Sequence, residues 1–317
     1  MTETPIDSTD TVIVLNPRSG SGTHSKKVRD RATLLDYDVQ ETQRENHAID
    51  LAESAAQAGA DRVVAAGGDG TLNEVARGVI AAEALDTVTV GVIPVGTGND
   101  FATNIGITGI DDAFHVLEED ERRQLDLGLA NNIPFLNSCV VGITAEASDE
   151  TSAELKSRFG VLAYVLTTLK MATEFSGVDV SAAVHDGSSQ ETVWEGSATI
   201  ILVGNGRRFS LDGSTQANLE DGLFDVTIVE EVDSLNLAQD HLTERLLDRS
   251  GDNITRFLAS SLDLQIEQDN PAMFSLDGEM VDFDAVELRN RKQVLSMVVG
   301  EGYDECPQSD GDTHADD

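Results

Sequence analysis

Three short apolar runs in the first third of the chain each end in a polar, glycine-rich loop, and this repetition restricts the fold more than any other feature. Thr11 to Leu15 leads into Asn16-Pro17-Arg18-Ser19-Gly20-Ser21-Gly22. Arg62 to Ala66 leads into Gly67-Gly68-Asp69-Gly70-Thr71-Leu72-Asn73-Glu74. Thr87 to Ile93 leads into Pro94-Val95-Gly96-Thr97-Gly98-Asn99-Asp100. Short β-branched runs bounded by turn residues read as buried strands. Helical spacing follows in the stretch carrying Lys26, Lys27 and Arg29, in the Ala-rich residues 48 to 58 before Gly59, and from Thr71 to Ala82. Strand, loop and helix in repeated order predict an α/β domain with a mostly parallel sheet and crossovers.

The pattern changes near residue 125. Strand-like runs then dominate: Leu125 to Ala130, Phe135 to Ile143, Val178 to His185, Ser197 to Gly204, Leu223 to Val229, Leu262 to Glu267 and Ala285 to Arg289. Helical stretches intrude near 153 to 174 and 234 to 259. This predicts a second, mostly antiparallel, β-rich domain. A length of 317 residues suits two domains. The expected division is 1–124 and 125–293, with a last strand near 294–300 returning to the first domain and an acidic, disordered tail over 303–317.

Charge narrows the partners. Asp and Glu total 58 against 21 Lys and Arg, a formal net charge of -37 spread along the whole chain. Such a surface repels nucleic acid and anionic membrane at low salt. At molar salt the Debye length is about 3 Å and self-repulsion is screened. A salt-rich, halophilic cytoplasm is therefore the expected setting. The residues Met1 to Asp10 lack the basic start and apolar core of a signal peptide. No run approaches the length of a membrane-spanning helix, so a cytoplasmic protein without a transmembrane segment is expected. Cys139 and Cys306 are too few for a disulfide framework or a cysteine zinc site. Cys139, in an apolar run, reads as a small buried hydrophobe.

The loops carry the chemistry. Open α/β sheets bind ligands beyond the carboxyl ends of their strands. Glycines let backbone N–H groups approach phosphate oxygens, and a helix N-terminus adds its positive dipole end. Asp69 inside such a loop fits if it works through a magnesium ion or its waters. A glycine-rich turn with Asp69 as a helix N-cap reads equally well for this loop alone. Neither of the first two loops has the Lys-Ser or Lys-Thr pair of a Walker A loop or the Gly-x-Gly-x-x-Gly dinucleotide fingerprint. No Gly-x-Ser-x-Gly elbow supports a serine hydrolase. The six histidines show no metal spacing, and His47 reads as a helix-entry residue. An apolar stripe through Leu155, Phe159, Leu162, Val165, Leu166 and Leu169 reads as core packing before it reads as a lipid contact.

Taken together, Asn-Pro-x-Ser-Gly, Gly-Gly-Asp-Gly-Thr-x-Asn-Glu and Gly-Thr-x-Asn-Asp-Phe-Ala resemble the bacterial and archaeal diacylglycerol kinases. That family is similar to the sphingosine kinases and, more distantly, to the NAD kinases. Two later elements match as well, Glu220-Asp221-Gly222-Leu223-Phe224-Asp225 and Ser275-Leu276-Asp277-Gly278-Glu279. The resemblance implies an ATP- and Mg2+-dependent lipid kinase. It implies a nucleotide site at Asn16, Pro17, Arg18, Ser19, Gly20, Thr42, Gly67, Gly68, Asp69, Gly70, Thr71, Leu72, Asn73 and Thr97. Asp69 and Asp100 match acids linked to the catalytic Mg2+. Asp221, with backbone oxygens at Asn218 and Leu223, matches a structural Mg2+ site. Glu279 matches the general base, although Asp277-Gly278 is also an ordinary hairpin-turn signal. A lipid alcohol at the membrane surface, peripheral association and a homodimer are further implications. An NAD kinase and a catalytically silent nucleotide-binding regulator are the alternatives.

Overall fold

The computed structural model describes residues 11–20, 22–142, 177–185, 191–210, 213–230, 254–268 and 270–307. The chain divides into two compact units, Met1–Leu127 with Lys292–Glu305, and Gly128–Arg291 with Cys306–Asp317.

The first unit is built on β1 (Thr11–Leu15), α1 (Ser25–Leu34), β2 (Asp38–Glu41), α2 (His47–Gln57), β3 (Arg62–Gly67), α3 (Asp69–Ala81), β4 (Thr89–Pro94), α4 (Asp100–Asn104), α5 (Ile110–Glu119) and the first part of β5 (Arg122–Ala130). The end of the last strand, β17 (Ala285–Val298), joins it. Strand order is β17-β4-β3-β1-β2, and every one of these neighbours runs parallel. β1, β3 and β4 are buried at every position, as strands covered on both faces must be. From β1 the chain moves outward to β2, then returns past β1 to β3 and β4. The order therefore reverses between β1 and β3, the kind of switch point where open α/β sheets bind ligands. α2 and α3 lie close because Gly78 has no side chain; a Cβ there would stand 2.4 Å from the Ile49 carbonyl oxygen. The amino ends of the strands are tied by Arg62. It donates to Thr11 Oγ1, the Leu117 carbonyl, Asp120 and Tyr37. Burial of Tyr37 pushes its phenol upward, with the Arg62 charge opposing.

The second unit is antiparallel. It contains β6 (Ile133–Phe135), β7 (Ser138–Val141), β8 (Val178–His185), β9 (Glu191–Gly204), β10 (Arg207–Ser210), β11 (Gly213–Gln216), β12 (Phe224–Glu230), β13 (Ile254–Ala259), β14 (Ser261–Ile266), β15 (Ala272–Leu276) and β16 (Glu279–Phe283), with the first part of β17. The long β9 pairs β12 along one edge and β7 and β8 along the other. Alternate residues such as Val178, Val180, Ala182 and Val184 enter a core with Phe135, Phe224, Leu262, Leu264 and Phe274. The rings of Phe135 and Phe224 stack with centroids 5.6 Å apart.

Several expectations change in detail. The run Phe135 to Ile143 is interrupted between β6 and β7, because the N–H groups of Leu136, Asn137 and Ser138 bind the Asp277 carboxylate. The two late runs are one strand, β17, which carries Gln293 at a φ of 51° within it. Residues 254–259 form a strand rather than the end of a helix, since each pairs with β12. Tertiary pairing overrides local pattern there. The helices α4 and α5 have no counterpart in the expected pattern. The expected helix over 153–174, its apolar stripe, residues 234–253 and the tail from 308 lie outside the described residues.

Candidate functional site: three strand-end loops and a hairpin turn

In the first unit the three glycine loops meet at the switch point. Asn16 Nδ2 donates to Thr71 Oγ1 at 3.2 Å, joining the loop after β1 to the first turn of α3. The Asn16 N–H donates to the Ala66 carbonyl at 2.9 Å. Its side-chain oxygen accepts from the Arg18 N–H at 3.0 Å, and its carbonyl accepts from Ser19. The same carbonyl contacts His24 Nε2 at 3.1 Å. Thr42, just past β2, donates its N–H to the Leu15 carbonyl, so it stands beside the start of this loop. Gly20 has a φ of 52° and a Cβ there would lie 2.5 Å from the Val95 carbonyl oxygen. The first loop therefore rests on the third. Pro17 lies on this loop, half-buried.

The second and third loops are in main-chain contact. A Cβ on Gly96 would stand 2.4 Å from Gly68 Cα, and one on Gly68 would stand 2.8 Å from the Gly98 carbonyl oxygen. Val95 and Gly96 both donate to the Gly67 carbonyl. Asn99 folds back to accept from the Gly96 N–H and donate to the Gly96 carbonyl. Thr97 is exposed on this loop.

Asp69 has a role the sequence did not suggest. Gly68 is the N-cap of α3 and, having no side chain, gives that helix no side-chain cap of its own. The Asp69 carboxylate instead accepts from the N–H groups of Asp100 and Phe101, each at 3.0 Å, and so caps α4. At the start of α3 the Asp69 N–H is taken by the Gly98 carbonyl. The N–H groups of Gly70 and Thr71 fall in the first turn, where the helix supplies no acceptor. Nothing lies within 4 Å of the position a Gly70 Cβ would take. The result is an open helix N-terminus lined by Gly70 and Thr71, with Asp69 and the exposed Asp100 beside it. Leu72 is 1% exposed and Asn73 4%, so their side chains belong to the interior. Glu74 caps α2 through the Ala48 N–H, and His47 opens that helix.

The remaining expected residues belong to the second unit. Glu279 is the first residue of β16 and is exposed. The turn before it has φ of 50° at Asp277 and 97° at Gly278, as a two-residue hairpin of the primed type requires. Asn218, Asp221 and Leu223 lie on the loop before β12. Glu220 N–H donates to Asn218 Oδ1 and Leu223 N–H to Asp221 Oδ1, so both side chains shape their own loop. Among the described residues no group of three or more His, Cys, Asp or Glu could hold a metal ion.

Sequence reasoning passed over the structural roles of Asp126, Asn99 and Asp277. Asp126, in β5, is 1% exposed and accepts from the Gln293 N–H at 2.8 Å. An acid inside an apolar strand run was its available signal. Asn99 and Asp277 lay inside quoted motifs, but only their hydrogen bonds show what they do.

Comparison with known proteins decides the family. Residues 10–130 match the model of the diacylglycerol kinase catalytic domain, which takes in all three loops. A diacylglycerol kinase of Staphylococcus haemolyticus (strain JCSC1435) is 33% identical over 237 residues, covering 72% of this chain and 68% of that protein. The chain belongs to the diacylglycerol kinase family. The family likeness extends to the "Probable lipid kinase YegS-like" protein of Pseudomonas aeruginosa (strain UCBPP-PA14), 37% identical over 194 residues, or 60% of this chain and 62% of that one. Two crystal structures from Bacillus anthracis str. Sterne share the fold of this diacylglycerol kinase family member. One gives a TM-score of 0.73 at 23% identity, over 93% of this chain and 96% of the other. The second, of a diacylglycerol kinase, gives 0.67 at 18%, over 93% and 98%. Among the described residues no helix is long and apolar enough to cross a membrane.

Proposed function

We propose that this member of a lipid-kinase family transfers the γ-phosphate of ATP to the free hydroxyl of a diacylglycerol-like lipid, with Mg2+. The observation that carries the proposal is the α3 N-terminus. It begins at Gly68, which has no side chain to cap it, and is unfilled at Gly70, at the sheet's switch point. In this reading the N–H groups of Gly70 and Thr71 bind phosphate oxygens. Asn16 orients the Thr71 hydroxyl, while Thr42, Thr97 and the Asn16–Gly20 loop border the nucleotide.

The donor set suits Mg2+. That ion usually takes one or two carboxylates, with waters and substrate phosphates completing its shell. The Asp69 carboxylate accepts the Asp100 main-chain N–H, so the two acids are neighbours, and in this reading their carboxylates are the pair that would hold the ion. When bound, Mg2+ offsets charge on the phosphates. A second, structural Mg2+ at Asp221 with the carbonyls of Asn218 and Leu223 rests on the motif alone. In the transfer, the bond from the γ-phosphorus to its bridging oxygen breaks and one to the lipid oxygen forms. We assign the hydroxyl proton to Glu279. The catalytic-domain match favours a lipid alcohol over NAD as the acceptor. Peripheral association with the membrane follows from such a substrate.

The test is phosphoryl transfer from radiolabelled ATP in molar KCl, offered diacylglycerol in mixed micelles and, separately, NAD. Label in the organic phase is expected. Label on NAD alone, or ATP binding with no transfer, overturns the proposal. Glu279→Gln should lose transfer and keep ATP affinity.

A further inference from the structure

A continuous hydrogen-bonded support lies behind the turn that carries Glu279, entirely within the second unit. The Asp277 carboxylate accepts three successive main-chain N–H groups, from Leu136 at 2.6 Å, Asn137 at 2.8 Å and Ser138 at 2.9 Å. The Asp277 N–H donates in return to the Ser138 carbonyl at 3.0 Å. The opposite side of the same loop is held by Asn205 and Gly206. Asn205 Nδ2 and the Gly206 N–H donate to the Leu136 carbonyl at 2.8 and 2.9 Å, and the Asn205 N–H donates to the Asn137 carbonyl at 2.8 Å. Asn205 is fully buried, and Asn290 Nδ2 fixes its amide by donating to Asn205 Oδ1 at 3.1 Å. Residues 136–138 are thus clamped on both sides, and Asp277 takes its position from the clamp.

The chemistry requires a carboxylate at 277. A carboxylate accepts at four lone-pair sites and can receive three N–H donors at once. Three consecutive N–H groups form the concave donor set that favours an anion. An amide in the same place would turn its own NH2 toward one of those donors. An ordinary hairpin turn needs none of this, since Asp-Gly alone satisfies a primed turn. Two residues further on stands Glu279, opposite Leu276 in the hairpin register. Leu276 also pairs with Cys139 of β7, so the strand leading into the turn is held by the strand that follows the clamp.

We infer that Asp277 is a positioning residue for Glu279, with Asn205 and Asn290 forming the outer part of its support. The inference rests on the proposed role of Glu279 as proton acceptor and deepens it. Placement errors of about 1 Å cost up to about 100-fold in rate. Asp277→Asn is therefore expected to lower kcat per folded molecule by about 10- to 100-fold, leaving the KM for ATP within about twofold.

The measurement is ATP-dependent phosphorylation of diacylglycerol in mixed micelles, in molar KCl, with the folded fraction of the full chain read from its thermal transition. A purely structural Asp277 would lower the transition temperature and leave kcat per folded molecule unchanged, which overturns the inference. Glu279→Gln run alongside separates the two ideas. Full activity of Glu279→Gln removes the base assignment and this inference with it. An inactive Glu279→Gln beside a fully active Asp277→Asn removes only this inference. Should Asp277→Asn fail to fold, Asn290→Ala probes the far end of the support without a charge change. A drop in kcat at constant KM for ATP upholds the inference, and an unchanged kcat overturns it.

Discussion

Asn16 and Thr71 share a hydrogen bond of 3.2 Å across the switch point of the sheet, between residues 55 apart in sequence. One end of the bond lies on the loop after β1 and the other on the first turn of α3. Thr71→Val keeps the volume and removes the acceptor. It should destabilise the protein by about 1 kcal/mol and leave the Asn16 amide short of a partner. In the proposed function it should also raise the KM for ATP, measured as initial rate against ATP concentration.

Asp69 gives a prediction with two separable readouts. Its two oxygens each accept one N–H, from Asp100 and from Phe101; Asp69→Asn keeps one acceptor oxygen, turns its NH2 toward the other donor and should lower stability by about 1 kcal/mol. If Asp69 also helps to hold Mg2+, the same variant should need more Mg2+ for half-maximal transfer. Calorimetry reads the first effect and a Mg2+ titration of the rate reads the second. A shifted transition with an unchanged Mg2+ requirement would leave Asp69 as a cap only.

The glycines of the second loop should behave in opposite ways. Gly68→Ala places a Cβ 2.8 Å from the Gly98 carbonyl oxygen, a main-chain clash, and should lower the melting temperature by several degrees. Gly70→Ala meets nothing within 4 Å and lies in the first turn of α3. It should leave stability unchanged or raise it by about 0.5 kcal/mol. ATP affinity should nevertheless fall, because the methyl group occupies the space assigned to phosphate. Thermal unfolding with equilibrium ATP binding on both variants checks the contrast.

The two thiols should differ sharply in reactivity. Cys306 is exposed, whereas Cys139 is buried. Burial, with the Asp277 charge adding to it, pushes the Cys139 thiol well above its ordinary value of 9.0. A thiol reagent at mildly alkaline pH should label one cysteine in the folded protein and both after denaturation. The sign of the pH effect follows from the same shift. Well below pH 9.0 the thiol is protonated in both folded and unfolded chains and contributes no pH dependence. Above it the unfolded chain releases the proton while the folded chain keeps it, so stability falls as pH rises. Cys139→Ser should flatten that decline in a plot of melting temperature against pH.

The net charge of -37 predicts a salt requirement. Raising KCl from about 0.1 M to about 2 M shortens the screening length from about 10 Å to under 3 Å and should raise the melting temperature. A transition independent of salt would remove the halophilic interpretation of the composition.

Much of the first unit was legible because its signals are local. β1 falls on Thr11–Leu15 as expected, and α2, β3, α3 and β4 start within two residues of the expected 48, 62, 71 and 87, whereas β5 and β17 begin earlier than expected. Buried parallel strands must be apolar throughout, and glycine loops must end them. The second unit was harder because its order depends on distant pairing. Residues 254–259 are a strand only because β12 lies beside them. The break between Phe135 and Ser138 exists only because Asp277, some 140 positions later, takes the N–H groups a strand would have used.

The site divides along the same line. The residues by themselves determined a parallel α/β unit, three phosphate-suited loops at its strand ends and the motif order of a diacylglycerol kinase family member, since glycine, acid and strand periodicity are properties of short segments. Tertiary structure decided what each polar group does. Asp69 could have capped its own helix, yet it caps α4, because the third loop returns to within hydrogen-bonding distance. Asp277 could have been a turn residue and nothing more, yet it collects three main-chain N–H groups. A carboxylate's partner is set by whichever donors the fold brings near it, and no local pattern encodes that distance.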